Sequence, residues 1–120
     1  AKETSLSIDP GFLGRDPLAE LIEESARFGL VVMPWFEYGF IGGYSGYYPG
    51  VAGQGPLFDR HPEWLARTRA GLTGFTAPGG LFYWMSQTNP EVRQFLIRLV
   101  EEVAQSYQIV GIQFDRARYP

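Results

Sequence analysis

Apolar and polar positions along this chain follow two rhythms, one helical and one extended, and they set out the elements in order. Ala1–Arg15 is a turn-rich lead with a weak Leu6/Ile8 alternation, read as a loop leading inward. Leu18, Leu21, Ile22 and Ala26 then fall at helical spacing. Asp16 is a good N-cap, Pro17 suits the first helical position, and Gly29 suits the residue just past the end. Glu20, Glu23, Glu24 and Arg27 occupy the opposite face, so the pattern predicts a surface helix with one buried stripe. The run Leu30–Phe36 is continuously apolar, which predicts a strand covered on both faces. Pro34 removes a ladder donor, so the regular part is expected to end near Met33.

From Glu37 to Asp59 a Gly- and Tyr-rich segment shows neither period and reads as one long loop, a length that in compact domains usually carries function or disorder. His61-Pro62-Glu63-Trp64-Leu65 predicts a short helix with proline in its first turn. Leu81–Met85 is β-prone, either an extra strand or an extended segment. Asn89-Pro90-Glu91 repeats the cap-and-proline start, and Val92, Phe95, Leu96, Leu99, Val100, Val103 and Tyr107 keep helical spacing after it. Arg98, Glu101 and Glu102 cover the outer side of this helix. Ile109–Phe114 predicts a second buried strand, followed by Asp115. Strand, long loop, helix, strand is a βαβ crossover, which implies parallel strands. Ligands of parallel α/β folds sit at the C-terminal ends of strands, where Glu37 and Asp115 both lie.

Composition narrows the function classes. The 120 residues are 45% hydrophobic and 16% aromatic, enough for a globular core, but short of the ~200 residues of a complete β/α barrel. With 10 basic and 13 acidic residues and no basic block, nucleic acid and anionic membranes are not expected partners. The longest apolar stretch, Phe28–Phe36, is too short to span a bilayer, so no membrane insertion is expected. Cysteine is absent, which excludes thiol nucleophiles, disulfides and zinc-thiolate sites. The single histidine, His61, excludes a multi-histidine metal site, and neither metal nor cofactor is expected.

Five short motifs occur in register: Asp16-Pro17-Leu18-Ala19-Glu20-Leu21-Ile22, Pro34-Trp35-Phe36-Glu37-Tyr38-Gly39-Phe40, His61-Pro62-Glu63-Trp64-Leu65, Asn89-Pro90-Glu91-Val92-Arg93-Gln94-Phe95, and Gly111-Ile112-Gln113-Phe114-Asp115-Arg116-Ala117-Arg118-Tyr119-Pro120. Together they resemble the family-ten glycosyl-hydrolase-like domain, formerly a domain of unknown function and common in bacterial envelope proteins. The resemblance implies an α/β fold, a partial (β/α)8 TIM-barrel-like fragment, with residues 1–120 as a single partial domain. In it the strand at Leu30 is about the third and the strand at Ile109 about the fourth. It also implies an extracytoplasmic or cell-envelope location, on which the residues alone are silent. Asp115 takes the place where related barrels keep their nucleophile, and their acid/base lies on a later strand. Two departures stand out: Ser86-Gln87 where the family often has Asn-Pro, and Ile109-Val110 where an acidic residue often precedes Gly111.

Glycoside hydrolysis needs two carboxyl groups astride the bond, about 5–5.5 Å apart for retention and about 6.5–9.5 Å for inversion. Asp115 is the nucleophile candidate; its alternative role is to hold Arg116 or Arg118, or to cap the next helix. Glu37 is the candidate partner, against binding a sugar hydroxyl or pairing with an arginine. Trp35, Tyr38, Trp64 and Trp84 offer flat apolar faces for sugars, or fill a barrel. Tyr44, Tyr47 and Tyr48 stack on sugars or cover the barrel mouth. Arg118 holds a carboxylate or hydroxyl, or forms a structural ion pair, and His61 reads as a helix-start residue sooner than an acid/base. The function expected is glycoside-hydrolase-like action on polysaccharide or cell-envelope glycan. The alternative is a non-catalytic carbohydrate-binding or cell-surface module, and an unrelated small α/β domain is a third. Apolar strands with open edges also predict either a homo-oligomer or contact with the remainder of a barrel.

Overall fold

The computed structural model describes residues 9–45 and 54–119. Leu6, Ile8, Tyr47, Tyr48 and Pro120 lie outside the described residues, as does much of the Gly/Tyr-rich segment. The first helix, α1 (Pro17–Arg27), forms where its caps predict. Asp16 Oδ1 accepts from the Ala19 N–H at 3.0 Å. At the other end Gly29 (φ 68°) allows a Schellman closure: the Gly29 N–H donates to Ala26 O and the Leu30 N–H to Ser25 O. The expected buried stripe does not form, since no residue of α1 is buried and Leu21 is 54% exposed. The core draws no side chain from this helix. Its N-terminus is tied instead through Asp16 Oδ2, which accepts from the Tyr107 hydroxyl at 2.7 Å. The Ala19 N–H and then the Tyr107 hydroxyl hold the Asp16 carboxyl below its ordinary value. The same bond to Asp16 pushes the Tyr107 hydroxyl up.

The two strands expected to be neighbours pair in parallel. β1 (Trp35–Phe36) and β5 (Gln113–Phe114) align Trp35 with Gln113 and Phe36 with Phe114. Both are shorter than the apolar runs, yet ladder-type bonds extend from Val110 N–H to Val32 O, Gln113 N–H to Pro34 O and Asp115 N–H to Phe36 O. Pro34 does not end the strand, because proline lacks only the donor and its carbonyl still accepts. The expected burial on both faces is corrected: Val31 is 75% exposed, Met33 56% and Val110 59%. A strand is buried only by neighbours, and among the described residues these two pair with no further strand.

Between them the chain builds a second layer, whose first strand and first helix begin in the segment 37–59 expected to be one loop. It comprises β2 (Ile41–Tyr44), α2 (Pro56–Arg60), a 3-10 turn (Pro62–Trp64), β3 (Gly74–Ala77), β4 (Gly80–Trp84) and α3 (Pro90–Ser106). The three strands form an antiparallel sheet in the order β2-β4-β3. Thus Leu81–Met85 is a strand in its larger part, and β3 is an addition. Gly42 and Gly43 are needed for close approach: a Cβ on Gly42 would meet the Phe58 ring at 2.6 Å, and one on Gly43 would meet Gln54 O at 2.1 Å. Asn89 caps α3, its Oδ1 accepting from the Glu91 N–H at 2.9 Å, with Pro90 following.

The core sits in this second layer. Leu57, Phe58, Trp64, Leu65, Met85, Val92 and Phe95 form one cluster, with Phe40, Tyr83, Leu96 and Leu99 packed against it. Each such large side chain contributes roughly 1.5–3 kcal/mol. Trp64 lies 5.1 Å from Phe95 and stacks on His61 at 4.0 Å, and its indole N–H donates to Glu91 Oε2 at 3.0 Å. The architecture is mixed α/β, a parallel pair joined through an antiparallel sheet and its helices.

Candidate functional site

The parallel register decides where the two candidate carboxylates lie. Because Phe36 pairs with Phe114, the next residue on each strand, Glu37 and Asp115, leaves the sheet at the same C-terminal end. Glu37 is exposed, and Asp115 is half-buried with its side chain 42% exposed. The backbone of Asp115 is fixed by its N–H donating to Phe36 O at 3.0 Å. Its carboxylate is fixed by the Arg116 N–H, which donates to Oδ1 at 2.6 Å, and by Arg116 Nε, which stands 3.9 Å from Oδ2.

A turn from β1 closes over this point. Gly39 adopts φ 49°, and a Cβ there would fall 2.3 Å from Asp115 O and 2.6 Å from Arg116 C. Only glycine lets the two backbones pass at this separation. Phe40 N–H then donates to Arg116 O at 3.4 Å, and Met85 N–H donates to Phe40 O at 2.7 Å, which links the strand ends to β4. The Arg116 guanidinium lies over two aromatic rings, 5.8 Å from the Tyr38 centroid and 5.3 Å from that of Phe82. Phe82 in turn packs on Tyr44 at 4.8 Å.

Of the aromatic candidates, Trp35 and Tyr38 are 58% and 51% exposed, beside the strand ends. Trp64 and Trp84 are 4% and 5% exposed and sit among core side chains, Trp84 paired with Ile41 across the sheet. Arg118 is exposed, and its carbonyl accepts from the Gln87 side-chain amide, so the unusual Ser86-Gln87 turn touches the segment after Asp115. An apolar groove of about 390 Å³ borders the site, walled by Phe36, Phe40, Leu96, Ile97 and Phe114. A larger hollow of about 530 Å³, lined by Asp16, Ala19, Arg98, Glu102 and Tyr107, includes neither candidate carboxylate. Among the described residues no group of three metal-ligating side chains occurs, and no helix is long and apolar enough to cross a membrane. Sequence reasoning passed over Gly39 and Phe82. The Gly39 signal was a glycine three residues past the last aromatic of the strand, whereas Phe82 carried none.

Comparison with known proteins supplies the remaining context. Residues 3–120 match the family model described as glycosyl hydrolase-like 10. The glycosyl hydrolase YngK of Bacillus subtilis is 30% identical over 112 residues, covering 93% of this chain and 19% of that protein. An S-layer-related protein of Niallia circulans is 36% identical over 70 residues, covering 52% of this chain and 4% of that one. The chain thus spans about a fifth of the first relative's length, and a small part of the second's. No solved structure matches it significantly.

Proposed function

This chain belongs to the glycosyl hydrolase-like 10 family, and from that membership we propose that it forms part of a (β/α)8 barrel that hydrolyses glycosidic bonds in polysaccharide or cell-envelope glycan. Asp115 is the nucleophile and Glu37 its carboxylate partner on the neighbouring strand. Trp35 and Tyr38 present stacking faces to the sugar, Arg118 binds a hydroxyl or carboxylate, and Trp64 and Trp84 brace the wall behind. The observation that carries this reading is the β1–β5 register, which brings both carboxylates to one end of a parallel pair. Such ends carry the chemistry of barrel enzymes.

The test uses the longer protein that contains these residues. Asp115→Asn should abolish release of reducing ends from soluble polysaccharide while leaving the circular dichroism spectrum unchanged. Hydrolysis at the parental rate would make Asp115 structural. A second reading, a non-catalytic glycan-binding module, draws on the S-layer-related relative and on the engagement of Asp115 by Arg116. Glycan retention with no turnover would favour it.

A further inference from the structure

We propose that Arg116 is a positioning residue for the Asp115 carboxylate, held in place by Tyr38 and Phe82; this rests on the reading of Asp115 as nucleophile. Arg116 is the one non-glycine residue with positive φ among the described residues, at 50°. An L-residue persists there only where its surroundings hold it, and such positions concentrate at functional sites. The restraints come from three directions. The Phe40 N–H binds the Arg116 carbonyl, and the preceding peptide is pinned to Phe36 O. The guanidinium rests over Tyr38 from the β1–β2 connection and over Phe82 from β4, both inside the range of cation–π attraction. With its side chain 26% exposed, Arg116 has little freedom to swing into solvent.

This geometry acts on both carboxylate oxygens. The Arg116 N–H occupies Oδ1 at 2.6 Å, while the guanidinium faces Oδ2 at 3.9 Å, outside hydrogen-bond range. The carboxylate is therefore held through Oδ1 by the backbone, and Oδ2 faces the guanidinium at ion-pair distance, so the side-chain charge sets its rotation. A reacting group gains from such fixed alignment, and misplacement by about 1 Å costs about a hundredfold in rate. Arg116 also joins the antiparallel layer to the parallel strand ends, so substitutions at Tyr38 or Phe82 reach Asp115 through it.

The experiment compares the longer protein with its Arg116→Gly, Arg116→Lys and Tyr38→Leu variants. Glycine is chosen because it accepts φ 50° without strain, so the side chain is removed with the backbone conformation retained. With dinitrophenyl glucoside and N-acetylglucosaminide as probes, Arg116→Gly should lose about a hundredfold in kcat at unchanged KM. Added guanidinium below denaturing concentration should restore activity to Arg116→Gly but not to Asp115→Asn, and Arg116→Lys should recover only part. An Arg116→Gly variant with parental kcat, or one whose loss guanidinium does not repair, overturns the proposal. A second measurement is independent of turnover. The Arg116 Nε–H resonance should be displaced by Asp115→Asn and again by Tyr38→Leu; a resonance unmoved by both also overturns it. If the parent hydrolyses neither glycoside, that result counts against the nucleophile reading, and the resonance alone then decides whether Arg116 holds the carboxylate.

Discussion

Replacing Gly39 by alanine isolates the close approach that closes the site. Two costs add. An alanine at φ 49° pays the left-handed penalty of about 1–2 kcal/mol. Its Cβ would also lie 2.3 Å from Asp115 O and 2.7 Å from Arg116 O. These atoms belong to backbone, so relief requires a shift of the strand end, and overpacking of this kind costs about 1–3 kcal/mol. The sum is about 2–5 kcal/mol. Gly29 provides the internal comparison, since its φ is 68° but nothing lies within 4 Å of a built Cβ. Gly29→Ala should therefore cost only the backbone part, about 1–2 kcal/mol. Urea unfolding followed by fluorescence and circular dichroism measures both, and an unchanged slope would show that stability alone moved. Gly39→Ala should fall below Gly29→Ala by about 1–3 kcal/mol, or about 4 °C in midpoint for each kcal/mol in a domain of this size. Equal destabilisation of the two variants would refute the argument, because the contact over Asp115 would then not exist.

Three further outcomes are expected. Phe95, 2% exposed and packed at a tilt against Trp64, should cost about 3–5 kcal/mol on Phe95→Ala; a loss below 1 kcal/mol in the same urea experiment would show that the core lies elsewhere. The Asp16–Tyr107 bond should shape both limbs of a stability-against-pH curve. Asp16 is lowered in the folded chain, so its contribution is full above its unfolded value near 3.8 and is lost as pH falls below that. Tyr107 is raised, so its contribution is full below pH 10.0 and is lost as pH rises beyond it. Asp16→Asn should flatten the acid limb and Tyr107→Phe the alkaline one, with unchanged limbs as the contrary result. Finally, exposure of Leu30, Val31, Met33, Val110 and Phe114 at 45–75% predicts self-association of the isolated chain. Val31→Lys with Val110→Lys should suppress it in light scattering, whereas a parent already monomeric at high concentration would contradict the expectation.

Local chemistry was the part of this molecule most legible in its residues. Asp16-Pro17 and Asn89-Pro90 start their helices where written, because a cap depends on one side-chain oxygen and one nearby N–H. The parallel pairing was legible through the crossover rule, and with it the placement of Glu37 and Asp115. Burial was not, because an apolar run states what a strand tolerates and not what covers it; Val31 and Leu21 are exposed for that reason. β2 was hidden because Gly42 and Gly43 stand where alternation would be read, and their reason is contact with Phe58 and Gln54. Nothing in the order Phe114-Asp115-Arg116 announces a left-handed arginine. That conformation follows from Gly39, Phe40, Tyr38 and Phe82, all distant in sequence.

The placement of the core within the crossover, instead of beneath the parallel pair, has a bearing on how the molecule comes together. Contacts among β2, β4, α2 and the start of α3 join residues within one stretch of chain and return apolar burial early. Pairing of Phe36 with Phe114 must instead close a loop that contains all of that layer, and it wins back little burial of its own. Closure entropy grows only slowly with loop length. A layer that folded first would shorten the effective search further. The crossover is thus expected to serve as a folding template for the site as well as its connection, with Asp115 acquiring its surroundings last, an order that φ-values near 1 at the β1–β5 pair would refute.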